Sequence, residues 1–266
     1  MDRKELREKI VRGFTVALPI LLVAILVMLI VVAMNMSGGE NPLPVIGTNV
    51  DESTTTTKKE GDGDEEPITD PSSKGLLLVS NGNGTCSLEG MGECTDAFVI
   101  VPVMSEEGDI VVEIGDAAFK NCNTLKGIEI SETVTKIGAY AFYGSTLKEI
   151  VIPSTVKQIG NYALSGCRYL TKIEVENGNL NYSSLSGVLY NLEGTTLICY
   201  PAGKTDNFVN ISRDVTAIAN MAFYRCSSIK KVNYHGTSLS WESVEVGAGN
   251  EVIDEAFIFC AGDSGK

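Results

Sequence analysis

Three consecutive stretches of the chain, VEIGDAAFKNCNTLKGIEI, TKIGAYAFYGSTLKEIVI and KQIGNYALSGCRYLTKIEV, superimpose with their apolar residues in register. Ile114, Ile137 and Ile159 recur at steps of 23 and 22 residues, and the sets Phe119, Phe142, Leu164 and Leu125, Leu147, Leu170 keep the same spacing. A fixed period in this range is the mark of a solenoid, in which no single coil can cover its own apolar face and neighbours must stack. Each coil then touches mainly its neighbours, so function is expected on an extended surface more than in a deep pocket.

Within each unit, TLKGIEIS, TLKEIVIP and YLTKIEVE alternate apolar and polar residues and read as half-buried strands. A second short strand fits SETVTKIG, PSTVKQIG and SRDVTAIA. A tight segment follows in which a small residue and an aromatic or Leu turn inward: DAAFKNC, AYAFYGS, NYALSGC and NMAFYRC.

The pattern Val134, Ile137, Gly138, Ala141, Phe142, Leu147, Ile150, Ile152, Pro153 resembles the BspA-type leucine-rich repeat of bacterial and some protist surface proteins. GLLLVSNGNGTCSLEGMGECTDAFVIVP resembles the N-terminal cap of such proteins, SSLSGVLYNLEGTTLICYPAGK their irregular repeat, and VNYHGTSLSWESVEVGAGNEVIDEAFIFC their closing segment. The resemblance implies a leucine-rich-repeat solenoid, a β-rich α/β fold with a parallel concave sheet and short turns opposite. For some members it also implies adhesion to host or neighbouring-cell components. The expected divisions are a cap at 75–107, repeats at 108–234 and a C-terminal cap at 235–266.

Upstream of the repeats, residues 13–36 carry no charge and are long enough, as a helix, to cross a hydrocarbon core. Pro19 would kink such a helix without forbidding it. Arg3, Lys4, Arg7, Lys9 and Arg12 precede the apolar run, so the positive-inside rule places residues 1–12 in the cytoplasm and the remainder outside the cell. An uncleaved signal anchor is favoured over a cleaved signal, because the run is long and lacks a clean A-x-A. The expected localisation is therefore the cell membrane, as a single-pass protein. Residues 37–74, with nine acidic and three basic side chains and almost no large apolar ones, read as a disordered, extended linker.

From Gly75 onward, 13 Lys and Arg face 22 Asp and Glu, a balance that argues against nucleic acid as a partner. An extracellular protein or glycan fits better. The expected contact surface is the strand face: Lys126 and Glu129, Lys148 and Glu149, Lys172 and Glu174, then Lys231 and Asn233, forming a row of Lys beside a row of Glu. A structural or sensory role alongside a membrane partner is the alternative. Twelve residues before the apolar run are too few for a signalling domain.

Cys122, Cys167, Cys226 and Cys260 each stand three residues after Phe or Leu in one repeat slot, where Ser145 also stands, so they read as small buried side chains. Cys199 reads as core. Cys86 and Cys94, eight apart around a Gly-rich turn, are the best candidates for a disulfide. One histidine and no C-x-x-C leave no tetrahedral metal set in view, and no cofactor is implied. His235, Asp254 and Ser264 fall in a serine-protease order with GDSG at the chain end, but about thirty residues cannot build the oxyanion hole and specificity pocket, and no enzyme is expected. NGNGTC reads as a turn. The sequons at Asn83, Asn181 and Asn210 matter only in a host that N-glycosylates.

Overall fold

The computed structural model describes residues 71–263, all within one compact unit, Glu66–Lys266. The apolar run at 13–36 and residues 37–70 of the expected linker lie outside the described residues, but its last residues belong to the fold: Ser72 and Ser73 are buried, and Ser73 exchanges hydrogen bonds with the Ile100 backbone. Among the described residues no helix is long and apolar enough to cross a membrane.

The chain enters through an antiparallel hairpin, β1 (Leu77–Ser80) and β2 (Thr85–Gly90), closed by the NGNG turn with Gly82 and Gly84 at positive φ. It then winds so that each coil gives one strand to each of two ladders. β3 (Phe98–Ile100) starts the second ladder, and β4 (Ile110–Ile114) continues the first beside β2. The next coils add β5 (Gly127–Glu129) and β6 (Lys136–Ile137), then β7 (Glu149–Ile152) and β8 (Gln158–Ile159), then β9 (Lys172–Val175). The first ladder runs β1-β2-β4-β6-β8, parallel from β2 onward. The periodic apolar residues meet as the repeat demands: Ile114 faces Ile137, which faces Ile159.

The irregular repeat is where the parallel winding breaks. β10 (Tyr182–Leu185), β11 (Val188–Asn191) and β12 (Thr196–Cys199) pair antiparallel. Parallel stacking resumes from β12 through β14 (Ala217–Ile218) to β16 (Glu245–Val246). On the other side β13 (Phe208–Ile211), β15 (Lys231–Tyr234) and β17 (Phe257–Cys260) form a parallel three-stranded panel. The helical part of the expected α/β class shrinks, among the described residues, to single α-turns at Ser238–Trp241 and Glu251–Asp254 and one 3₁₀ turn at Ala261–Asp263.

Between the ladders, the turn segments stack by their own backbone bonds. Ala117, Phe119 and Asn121 donate to the carbonyls of Ala139, Ala141 and Tyr143, and Tyr140, Phe142 and Gly144 donate to those of Asn161, Ala163 and Ser165. Inside, the rings of Phe119 and Phe142 stack 5.4 Å apart at 3°, both fully buried. Each turn needs two left-handed residues, four positions apart. The first is Ala117, Tyr140, Tyr162 or Met221, with φ between 54° and 61°. The second is Asn121, Gly144, Gly166 or Arg225, with φ between 55° and 71°. Glycine takes this conformation freely, whereas side chains other than Asn or Asp cost about 1–2 kcal/mol each.

The buried residues form two groups. One runs from Cys86 to Ile173 and takes in Leu189 and Cys199; the other runs from Val188 to Ile253. They meet at β11 and β12, where Leu189 and Cys199 join the first while Val188, Tyr190 and Leu197 join the second.

Candidate functional site

The second ladder presents the expected contact surface, but its columns differ from the expected rows. β3 pairs with β5 so that Phe98 stands beside Gly127, and β7 pairs with β9 so that Glu149 stands beside Lys172 and Val151 beside Glu174. Lys148 donates its N–H to the Lys126 carbonyl, and Thr171 donates to the Lys148 carbonyl. One column is therefore Lys126, Lys148, Thr171, and the next is Gly127, Glu149, Lys172. A 22-residue step precedes a 23-residue step, and the one-residue difference moves Lys172 into the column of Glu149. A row of Lys beside a row of Glu does not form.

Lys126 and Lys148 share the strand parity of buried Ile128 and Ile150 and leave the fold at the corner ahead of each strand. The Lys126 ammonium is held there by the Asn123 carbonyl and the Thr146 hydroxyl, both at 3.1 Å. Lys172 and Glu174 form an ion pair at 2.5 Å, and Glu174, then Glu149, raise the pKa of the lysine. Both partners are about half exposed, so the pair contributes little to stability. Glu129 and Glu149 are exposed.

Beside these charges the surface also carries apolar side chains. Phe98, Val151, Leu185, Phe208, Phe257 and Phe259 are all exposed large hydrophobic residues. On the three-stranded panel Phe208, Lys231 and Phe257 stand side by side, as do Asn210, Asn233 and Phe259. The Lys231 ammonium lies 4.7 Å from the centre of the Phe259 ring, and Asn233 donates its amide to Asn210 at 3.1 Å. Beside this panel, Leu185, Tyr190, Tyr200, Lys204 and Phe208 line a cavity of about 220 Å³. Phe208, Phe257, Phe259 and Leu185 were not legible as a surface, because an apolar residue in an alternating strand reads as core until the register is known.

The cysteines follow the repeat slots only in part: Cys122 is half-buried, and Cys260, also half-buried, ends strand β17 beside Tyr234 and stands outside the turn slot. Cys167 and Cys226 are buried in the shared slot, and Ser145 contacts the Cys167 sulfur at 3.5 Å. Burial pushes the Cys226 thiol up to about 12 and holds Cys167 and Cys199 above the usual thiol range as well. Cys86 and Cys94 are both free. Cys86 pairs with Ser80 at the turn end of the first hairpin, whereas Cys94 bonds the Gly75 carbonyl beyond its opposite end. The intervening strand β1 alone spans about 10 Å, and a disulfide requires Cα atoms roughly 4.4–6.8 Å apart. Strand length keeps this pair open.

His235 and Asp254 are exposed, and Ser264 lies outside the described residues. No group of three or more metal-ligating side chains occurs among the described residues.

The two-ladder winding, with a 22- to 23-residue coil and an antiparallel irregular repeat, matches a family model described as the BspA-type leucine-rich repeat region, in six copies over residues 107–197 and 202–244. The chain belongs to the BspA-type leucine-rich repeat family. Among solved structures, this BspA-type chain is similar to the pneumococcal vaccine antigen PcpA, at 25% identity and a TM-score of 0.49 over 57% of this chain and 35% of that one. It spans about a third of that protein's length. It is also similar to a leucine-rich cell surface protein from Faecalibacterium prausnitzii, at 18% identity and a TM-score of 0.43, over 71% of this chain and 73% of that one. A leucine-rich repeat protein from Eubacterium ventriosum aligns at 20% identity and a TM-score of 0.36, over 61% and 71% of the two chains. No curated protein matches the chain.

Proposed function

We propose that this BspA-type domain is an adhesion module, held outside the cell by a membrane anchor at residues 13–36, that binds an extracellular protein through its second ladder. The observation that carries this reading is the outward panel of β13, β15 and β17, where Phe208, Phe257 and Phe259 surround Lys231. Contiguous exposed apolar residues on a rigid strand scaffold mark interaction sites, and aromatic residues dominate the energetics of protein interfaces. Membership of the BspA-type leucine-rich repeat family supports the reading. The basic segment before an uncharged stretch supports the anchor.

Cells displaying the full-length chain would be tested for adhesion to immobilised matrix glycoproteins, with Phe257→Ser and Phe208→Ser as variants. Each should weaken adhesion by about tenfold, the size of a typical interface anchor, while leaving the melting temperature unchanged. Undiminished adhesion by both variants would remove the panel as the contact surface. The anchor is tested separately: membranes washed at alkaline pH should retain the chain with its N-terminal peptide intact. Recovery only of a processed chain in the medium would exclude an uncleaved anchor.

A further inference from the structure

Away from the strand columns, the turn segments carry a second surface of different chemistry. Tyr140 and Tyr162 pack with ring centres 5.0 Å apart, Tyr140 and Tyr143 at 5.5 Å, and Tyr143 stacks on Tyr224 at 5.9 Å. Cations flank these rings: the Lys120 ammonium lies 4.9 Å from the centre of Tyr140, and the Arg225 guanidinium 5.3 Å from that of Tyr224. Arg225 and Arg168 line one open depression together with Ala202 and Ser227. The tyrosines are half-buried, and Lys120, Arg168 and Arg225 are exposed.

Two observations distinguish this ridge from an ordinary solvated edge. The first is charge segregation. The turn segments themselves, residues 117–125, 139–147, 161–169 and 219–228, contain Lys120, Arg168 and Arg225 and no Asp or Glu, with Asp116 at the edge of the first, in a chain with 34 acidic residues and a net charge of −13. An acid-free basic strip on an acidic domain attracts anions locally while the whole molecule repels them, so binding there depends on close contact. The second is backbone conformation. Tyr140, Tyr162 and Arg225 occupy left-handed positions that related coils fill with Gly144, Gly166 or Asn121, or with small Ala117. The repeat imposes this conformation on every turn, so it fixes the backbone from which these three bulky side chains leave. The hydrogen bond from the Tyr143 hydroxyl, then the guanidinium of Arg225 and the charge of Arg168, pull the Tyr224 hydroxyl below its ordinary pKa.

We propose that this ridge binds an anionic polysaccharide. Arg168 and Arg225 take its carboxylate or phosphate groups, since the guanidinium fork matches both geometries. The exposed parts of the half-buried tyrosines supply aromatic surface for the C–H side of sugar rings and hydroxyls for their oxygens. Each of the four turns gives the ridge at least one tyrosine or cation, though not the same set, which suits an extended ligand. An acidic protein fits less well, because the aromatic surface is open and shallow where a protein anchor would need a pocket. The ridge relies on the adhesion-module reading only for exposure to its ligand, and it uses none of the strand panel.

The test uses the full-length chain in neutral detergent, with binding to polygalacturonate, a glycerol-phosphate polymer, dextran and poly-glutamate measured at about 0.15 M salt, where surface charges beyond roughly 8 Å are screened. Binding should appear on the carboxylate or the phosphate polysaccharide, and whichever of the two is preferred identifies the source of the anion. Dextran and poly-glutamate should bind at least tenfold more weakly. Arg168→Glu and Arg225→Glu should each weaken binding about tenfold or more, Tyr143→Ala severalfold, and Phe257→Ser not at all. Equal binding to poly-glutamate would reassign the ridge to acidic proteins and overturn the proposal. So would unchanged binding by the two arginine variants, whose exposed side chains leave the fold intact, or failure to bind either anionic polysaccharide. Loss with Phe257→Ser alone would count against the ridge and in favour of the strand panel.

Discussion

Asn179 is buried, and its side chain ties together two successive coils. Its amide donates to the carbonyls of Pro153 at 2.9 Å and Val156 at 3.0 Å, while its carbonyl accepts from the N–H groups of Asn181 and Tyr182, both at 2.9 Å. Asn250 does the same further on, donating to Ala219 and Gly247 and accepting from Phe223 at 2.8 Å. Removing either amide would leave buried backbone groups unpaired, at about 1–3 kcal/mol for each group stranded. Asn179→Ala and Asn250→Ala should therefore each lower stability by at least 2 kcal/mol or so in urea unfolding, with Asp a partial substitute on the accepting side only. A loss below about 0.5 kcal/mol, the range of ordinary surface substitutions, would show that water replaces the amide. Neither residue was legible in the sequence, because an Asn beside Gly reads as a surface turn. The slot of Cys167 and Cys226 was legible, since Ser145 in the same register implied a small buried side chain and not a bond, whereas Cys122 is half-buried and Cys260 stands in a strand. The left-handed tyrosines gave no signal, because a positive φ at a residue other than Gly leaves no compositional trace.

The coils approach so closely that a column of glycines separates them. A Cβ added at Gly138 would sit 2.6 Å from the Gly115 carbonyl carbon, one at Gly160 2.6 Å from that of Gly138, and one at Gly247 2.8 Å from that of Ala219. These contacts are with backbone, which cannot swing aside. Parallel ladder spacing of about 4.8 Å is therefore kept at Gly138, Gly160 and Gly247 by the absence of a side chain, whereas Ala219 fills the same corner position where the coil stacks on the irregular repeat. Gly160→Val should force β6 and β8 apart and cost about 1–3 kcal/mol or more as an overpacked site, with faster amide exchange at Gln158 and Ile159 than elsewhere. Unchanged exchange there would mean that the corner relaxes. This was partly legible at the element scale: Gly138 belongs to the repeat pattern, and both strands of each coil follow from alternation. The lysine columns were not, because the step alternates between 22 and 23 residues and an offset of one moves a side chain to the neighbouring column. The antiparallel turn of β10 to β12 escaped as well; its apolar residues fit a strand in either direction.

For the molecule as a whole, two buried groups joined at one irregular repeat imply that the domain need not unfold as a unit. In a solenoid, stability is close to a sum of coil terms and nearest-neighbour terms, so damage spreads through interfaces and stops where one is weak. The hairpin of β11 and β12 is that boundary, because its residues are shared out between the groups. Phe223 belongs wholly to the second group and stacks on Tyr200 with ring centres 5.2 Å apart. Phe223→Ala should remove about 3–5 kcal/mol, comparable to the whole stability of a small domain. Hydrogen exchange should then show residues 209–258 opening while β4 through β9 stay protected, and unfolding followed by tyrosine and by exchange should no longer coincide. Equal loss of protection along the chain would place the two groups in one cooperative unit. The outcome bears on function through position: the aromatic panel of β13, β15 and β17 belongs wholly to the second group, whereas the tyrosine ridge draws Tyr140, Tyr143 and Tyr162 from coils of the first and Tyr224 from the second. A chain with only its second group melted should lose adhesion through the panel and the Arg225 end of the ridge, yet keep the packed tyrosines of the first coils, Tyr140, Tyr143 and Tyr162.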